Sequence, residues 1–164
     1  MSQARVTRRP RTAIASLLGL LGFVAVVALV ATIGGLGSAD AGEEYAALEL
    51  PAWAPPNWLF SPVWAVLYVT IAIAGWLVWR TVGLTLALVP YAVQLGLNAL
   101  WPALFFGASA YGLASVEIAL LWLAIGATVA AFWRAHQVAA LLLLPYWAWT
   151  TYAGALTIAV WTLN

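Results

Sequence analysis

Within the long apolar runs of this chain one side chain can ionise, Glu117, and no arginine or lysine lies at its depth. A carboxyl inside a membrane is costly and ordinarily faces a bundle interior or a wet cavity. Burial without a cation favours the neutral acid. That acid could donate a hydrogen bond to a ligand or to a neighbouring helix, and both roles stay open. The other groups able to recognise a ligand are aromatic and amide side chains in helical register. Tyr91, Gln94, Asn98, Trp101 and Phe105 recur at intervals of three and four, one stripe of an α-helix. Trp64 and Tyr68 are four apart. Tyr146, Trp149 and Ala153 share a face, with Tyr152 beside it. Each stripe alone suits helix–helix packing, with Gln94 and Asn98 as interhelical glue. Their coincidence in several runs points instead to an aromatic and amide face turned towards a common interior.

Catalytic chemistry finds little support. There is no cysteine, hence no disulfide framework, thiolate metal site or cysteine nucleophile. The single histidine, His136, stands near Arg134 at a helix end, so a multi-histidine metal site within one chain is excluded. No serine or threonine has an evident base beside it. Gly34-Gly35-Leu36-Gly37 closes an apolar run and opens no βαβ unit, so it is not a phosphate loop. A proton or ion pathway would use several intramembrane ionisable groups, and here there is one. The net charge of +1 argues neither for nor against nucleic acid.

The elements that must position these residues follow from composition. At 66% hydrophobic and 7% charged, the chain is not a soluble domain. Residues 1–12 carry Arg5, Arg8, Arg9 and Arg11 and no acid, a short basic tail. Residues 13–36 are apolar, about 36 Å long as a helix, enough to cross a bilayer. A signal peptide is the rival reading, with Ser38-Ala39-Asp40-Ala41 as its cleavage site; the run is longer than the usual h-region of about 7–15 residues, which favours a retained helix. Residues 37–60 form a long loop holding Asp40, Glu43, Glu44 and Glu49, with a short surface helix possible over 41–50. Its second half, with Pro51, Pro55 and Pro56, cannot be a regular helix. Trp53, Trp58, Phe60, Trp64 and Tyr68 cluster where it meets the next run, more aromatics than an interfacial belt needs, and the loop reads as a lid.

Ser61-Pro62 supplies a cap and a first-turn proline for a second span over 61–80. A third follows over 82–106 with Pro90 and Pro102 inside it, a fourth over 110–133, and a fifth over 138–163 with Pro145 inside it. The expectation is an all-α membrane protein, a bundle of five transmembrane helices with a long loop between the first two. With the N-terminus cytoplasmic and the C-terminus outside, all six arginines, Arg80 and Arg134 included, lie inside. Gly83 and Ala87, then Ala99 and Ala103, are small-xxx-small pairs that suggest a homodimer through the third span.

Four further groups of residues, in order, carry a family resemblance. They are Trp53-Ala54-Pro55-Pro56 with Phe60, Pro62, Val63-Trp64 and Leu67-Tyr68; Gln94-Leu95 with Leu97-Asn98, Trp101-Pro102 and Phe105-Phe106; Leu121-Trp122 with Phe132-Trp133-Arg134; and Pro145-Tyr146 with Trp149, Tyr152-Ala153 and Leu163-Asn164. From the first span onward the chain resembles the translocator proteins, also called tryptophan-rich sensory proteins or peripheral-type benzodiazepine receptors. The resemblance implies a five-helix membrane bundle, usually dimeric. It implies ligands such as protoporphyrin IX, sterols in some lineages, and synthetic isoquinoline carboxamides or benzodiazepines. Carried over by motif, the pocket would be lined by Tyr45, Trp53 and Pro55 from the loop, Trp64 and Tyr68, then Asn98, Trp101 and Leu104. Glu117, Ile118, Trp149 and Ala153 would complete it.

One departure bears on the ligand. Animal members have a tyrosine and an arginine in the fifth span, proposed to recognise cholesterol. Residues 156–164 here have neither, and Thr157 stands where an asparagine is common. Sterol recognition by that element is not expected, and a bacterial cell membrane is. The functional expectation is a binding and sensory protein for a porphyrin-type tetrapyrrole, with no cofactor or metal required. A transporter of such molecules is the alternative. A second alternative is a light-dependent porphyrin-degrading enzyme, with Trp149 as redox partner.

Overall fold

The computed structural model describes residues 12–38 and 41–164. The arginines of the basic tail, and Asp40, lie outside the described residues. Six α-helices follow one another: α1 (Ala13–Leu36), α2 (Ala41–Ala47), α3 (Phe60–Val82), α4 (Val89–Pro102), α5 (Tyr111–Ala135) and α6 (Gln137–Leu163). Short 3-10 turns over Asn57–Leu59 and Leu86–Leu88 lead into α3 and α4, and a π-helical turn over Ala103–Gly107 extends α4. The five longer helices close a ring by their contacts: α1 on α3, α3 on α6, α6 on α5, α5 on α4, and α4 back on α1.

Among the described residues four helical segments are long and apolar enough to cross a membrane: Ala13–Leu36, Asn57–Val82, Leu86–Gly107 and Tyr111–Ala135. Helix α6 has the length, at 27 residues. Its middle is diluted by Trp147, Trp149, Thr150, Thr151 and Tyr152. Helix α1 presents Leu17, Leu18, Leu21 and Leu29 outward, as a helix in lipid does and one in water does not.

Local chemistry explains the ends. The Thr12 hydroxyl accepts from the Ala15 N–H at 3.3 Å and starts α1. His136 starts α6 in the same way, its Nδ1 accepting from the Ala139 N–H at 3.3 Å. Three sequence expectations are corrected at these boundaries. Helix α3 starts one residue before Ser61, out of the preceding 3-10 turn, with no side-chain cap. The third span does not begin at 82: Gly83 takes φ 81° and ends α3, and α4 starts at Val89 out of the 3-10 turn. Pro90 therefore lies in the first turn of α4, where its missing N–H costs nothing, and not within the helix. Pro102 ends the regular part of α4, and the chain continues through the π turn.

The small-residue pairs also change meaning. Gly83 is a buried helix stop, Ala87 sits in a 3-10 turn, and Ala99 packs on the core. Ala103 lies against the C-cap of α1, where a Cβ on Gly37 would meet the Ala103 Cβ at 3.1 Å. These four alanines and glycines serve contacts within the chain and do not form one outward face.

Candidate functional site

The ring is not filled evenly. Towards the end that holds Arg80 and Arg134, Ile71, Ala74, Val78, Ile125 and Phe132 have no exposure at all. Towards the other end the helices part around a cavity of about 430 Å³, capped by residues 41–59. Helix α3 contributes Phe60, Ser61, Trp64 and Tyr68 to its wall, and α4 Asn98, Trp101 and Pro102. Ile118 and Leu121 come from α5, and Trp149, Thr150 and Ala153 from α6. Helix α1 gives Ala31, Gly34 and Gly35, the turn after it gives Ser38, and the lid gives Ala41, Gly42 and Asn57.

Of the residues expected in the site, Trp64, Tyr68, Asn98, Trp101, Ile118, Trp149 and Ala153 meet on this wall. The other five stand off it. Tyr45 is buried inside the lid, donating its hydroxyl to the Pro55 carbonyl at 2.9 Å and meeting Phe60 edge-on at 5.4 Å. Pro55 is thus a lid fastening. Trp53 is 49% exposed and packs on Tyr152, whose hydroxyl donates to the Trp53 carbonyl at 2.9 Å. Leu104 belongs to the π turn and packs in a separate cluster around Phe105, Leu156 and Val160. Glu117 is 4% exposed and stands off the wall that its neighbour Ile118 lines, with both carboxyl oxygens buried and unpartnered. The aromatic junction divides likewise: Phe60, Trp64 and Tyr68 turn inward, while Trp58 is 71% exposed.

The contribution of α1 was missed. Alanine, glycine and serine carry no pattern that separates a cavity wall from an ordinary close contact. The doublet Gly34-Gly35 was the available signal, and it reads equally well as a helix end.

Side chains of α3, α4 and α6 are joined at the wall by one chain of hydrogen bonds. Tyr68 donates to Asn98 Oδ1, Asn98 Nδ2 donates to the Tyr146 hydroxyl, and Tyr146 donates to Gln94 Oε1, each at 3.0 Å. Trp64 lies against both tyrosines, 5.3 Å from the Tyr68 ring and 6.0 Å from that of Tyr146. Trp149 is flanked by Phe60 at 5.9 Å and Tyr152 at 5.5 Å. The indole N–H groups of Trp101 and Trp149 are buried without partners. Such a wall offers flat apolar faces and one hydroxyl-amide anchor. Among the described residues no cluster of histidine, aspartate and glutamate could hold a metal ion.

The lid is tied down at separate points. Besides the Tyr152 bond, the Asn164 side chain accepts from the Glu49 N–H at 3.0 Å and donates to the Glu49 carbonyl at 3.1 Å. Ser109 donates to Glu44 at 3.4 Å. Burial pushes the Tyr45 phenol above its ordinary pKa, with Tyr152 adding to the effect.

Comparison with known proteins shows the family. A family model described as the TspO/MBR family matches residues 23–162. The chain is 38% identical over 130 residues to protein CrtK of Rhodobacter capsulatus, covering 75% of this chain and 79% of that protein. It is 41% identical over 125 residues to the human translocator protein, covering 73% and 74%. It is 39% identical over 124 residues to the tryptophan-rich protein TspO of Chlorobaculum tepidum, covering 73% and 78%.

Proposed function

Since this chain belongs to the TspO/MBR family, and is therefore a multi-pass membrane protein related to the translocator and tryptophan-rich sensory proteins, we propose that its cavity binds a planar, largely apolar ligand of the porphyrin type. The observation that carries this reading is the wall itself. Trp64 and Trp149 face one cavity of about 430 Å³ beneath a fastened lid, with Tyr68 and Asn98 as its polar anchor. That volume falls in the ordinary range for small-molecule sites, about 300–1,000 Å³. No cofactor or metal is needed for binding. Isoquinoline carboxamides and benzodiazepines would enter the same space.

In this reading α6 is the fifth span. Arg80 and Arg134 end α3 and α5, both of which run away from the lid. Trp76 Nε1 donates to the Ser16 carbonyl at 2.9 Å, which places the start of α1 at the same end. The arginine-bearing end then faces the cytoplasm, and the lid and C-terminus the outside. A bacterial cell membrane suits a chain lacking the tyrosine and arginine of the sterol motif. A homodimer through α4 would use its outward face at Ala92, Val93 and Gly96, where a Cβ on Gly96 meets nothing within 4 Å.

The test is tryptophan fluorescence of the purified protein titrated with protoporphyrin IX in darkness and in light. Saturable quenching in darkness without change of the porphyrin spectrum is expected; no saturable quenching removes the tetrapyrrole from the reading. A second reading, light-dependent porphyrin degradation, is favoured by one observation. Trp149, Tyr152 and Trp53 form an aromatic file from the cavity wall to the exposed surface, with steps of 5.5 and 5.7 Å. Light-dependent loss of the porphyrin spectrum, abolished in Trp149→Phe, would establish it. Transport rests on no comparable feature of the structure.

A further inference from the structure

The anchor has a property that follows from its chemistry. In the chain Tyr68–Asn98–Tyr146–Gln94 every donor points away from the cavity. The Tyr68 hydroxyl spends its proton on Asn98 and leaves the cavity only lone pairs, an acceptor. That oxygen stands at the α1 wall, 3.9 Å from where a Cβ on Gly34 would be. At the far end Gln94 is 1% exposed, lies off the cavity wall, and has its Nε2 buried without a partner.

An amide has a carbonyl oxygen and an NH2 group of nearly equal size at interchangeable positions. Turning Asn98 and Gln94 by half a rotation reverses all three bonds without moving a helix. Gln94 Nε2 then donates to the Tyr146 oxygen, Tyr146 donates to Asn98 Oδ1, and Asn98 Nδ2 donates to the Tyr68 oxygen. The count of bonds within the chain is unchanged. The orphan at the far end changes from a donor to an acceptor, and the Tyr68 O–H is released to the cavity.

We infer that this chain is reversible, and that Gln94 and Tyr146 are positioning residues which decide whether the cavity offers a ligand a hydrogen-bond acceptor or a donor. The inference rests on the reading that the cavity binds a ligand. It deepens that reading by naming the ligand class as planar molecules with either polarity at one edge. It also gives a direction to two substitutions that never touch the ligand. With Gln94→Leu the Tyr146 O–H loses its acceptor and turns to Asn98, which selects the reversed state. With Tyr146→Phe, Asn98 must leave unpaired either its NH2 or its carbonyl on that side. A buried N–H is the rarer orphan, so the same state is selected.

Two tricyclic probes of one shape separate the states: fluorenone, whose carbonyl only accepts, and carbazole, whose N–H only donates. Calorimetric titration of the purified protein should find both binding, because the unmodified chain serves either. Gln94→Leu and Tyr146→Phe should each shift the ratio of affinities about fivefold towards fluorenone. In an Asn98→Leu background, which has no amide to turn and so uncouples Tyr68 from Tyr146 and Gln94, the same substitutions should leave the ratio unmoved. Equal weakening of both probes, or an unchanged ratio in both variants, overturns the inference and leaves the ligand reading standing. Absence of saturable binding of both tricycles to the unmodified protein overturns the two together.

Discussion

The two ends of the helix ring use the same kinds of side chain for opposite purposes. At the arginine end Tyr91 stacks on Phe132 at 5.6 Å, and its hydroxyl donates to the Ile71 carbonyl at 3.1 Å. A Cβ on Gly75 would come within 2.6 Å of the Tyr91 ring, so the helices there are in direct contact. At the lid end Asn98 and Trp101, on the same stripe of α4 as Tyr91, look into open space. There the indoles of Trp101 and Trp149 and the carboxyl of Glu117 hold buried polar atoms without partners. One end has its volume filled and, of its buried side-chain polar atoms among the described residues, leaves the Thr85 hydroxyl without a partner. The other leaves more polar atoms unpaired and its volume open, as a binding site requires. Stability and recognition are thus separated along the length of the same helices.

That separation can be broken from either side. The largest effect is expected at the filled end. Phe132→Ala removes a ring with no exposure and should cost about 3 kcal/mol or more, read as a lower Tm in detergent, while the folded fraction keeps its affinity for protoporphyrin IX. Loss of affinity there would join the two ends. Next come Trp64→Ala and Trp149→Ala, each expected to weaken protoporphyrin IX about tenfold through loss of a flat face, with a much smaller change in Tm. Unchanged affinity in both variants would remove these residues from the site.

Tyr152→Phe keeps the ring against Trp53 and deletes one lid fastening. Ligand dissociation should quicken about fivefold, and an unaltered rate would show that this part of the lid does not gate the cavity. Smaller still is the effect of pH on the lid. The folded Tyr45 phenol has a raised pKa, so its contribution is present below the unfolded value of about 10 and is lost as pH rises through the folded one. Dissociation should accelerate only above about pH 10, and Tyr45→Phe should remove that dependence. Finally, Glu117→Gln should fold as the parent does, because neither carboxyl oxygen has a partner to lose. Failure to assemble would show that the acid holds α5 in place.

Residue chemistry along the chain determined a good deal. Apolar runs without charge determined where the long helices lie, since backbone groups in lipid must bond within their own segment. Spacings of three and four determined which faces of α3, α4 and α6 turn inward, and six of the expected residues share one wall for that reason, while Ile118 of α5 is expected from the family motif alone. Proline and glycine were less legible. Pro90 reads the same within a membrane helix as at its first turn, and only the φ of 81° at Gly83 settles which. Tertiary structure alone decided the rest. Tyr45, Pro55 and Leu104 belong to the lid and its supports because the chain folds back on α6 through Asn164 and Tyr152, contacts of |i−j| 115 and 99 that no local pattern encodes. It also brought the unpatterned small residues of α1 to the cavity wall, and it left Glu117 off that wall and turned Ile118 onto it, because which side of α5 meets the cavity depends on the other helices. The physical reason is common to all of these. Periodicity specifies the direction in which a side chain leaves its own helix, and the neighbour it then meets depends on how the other helices are placed.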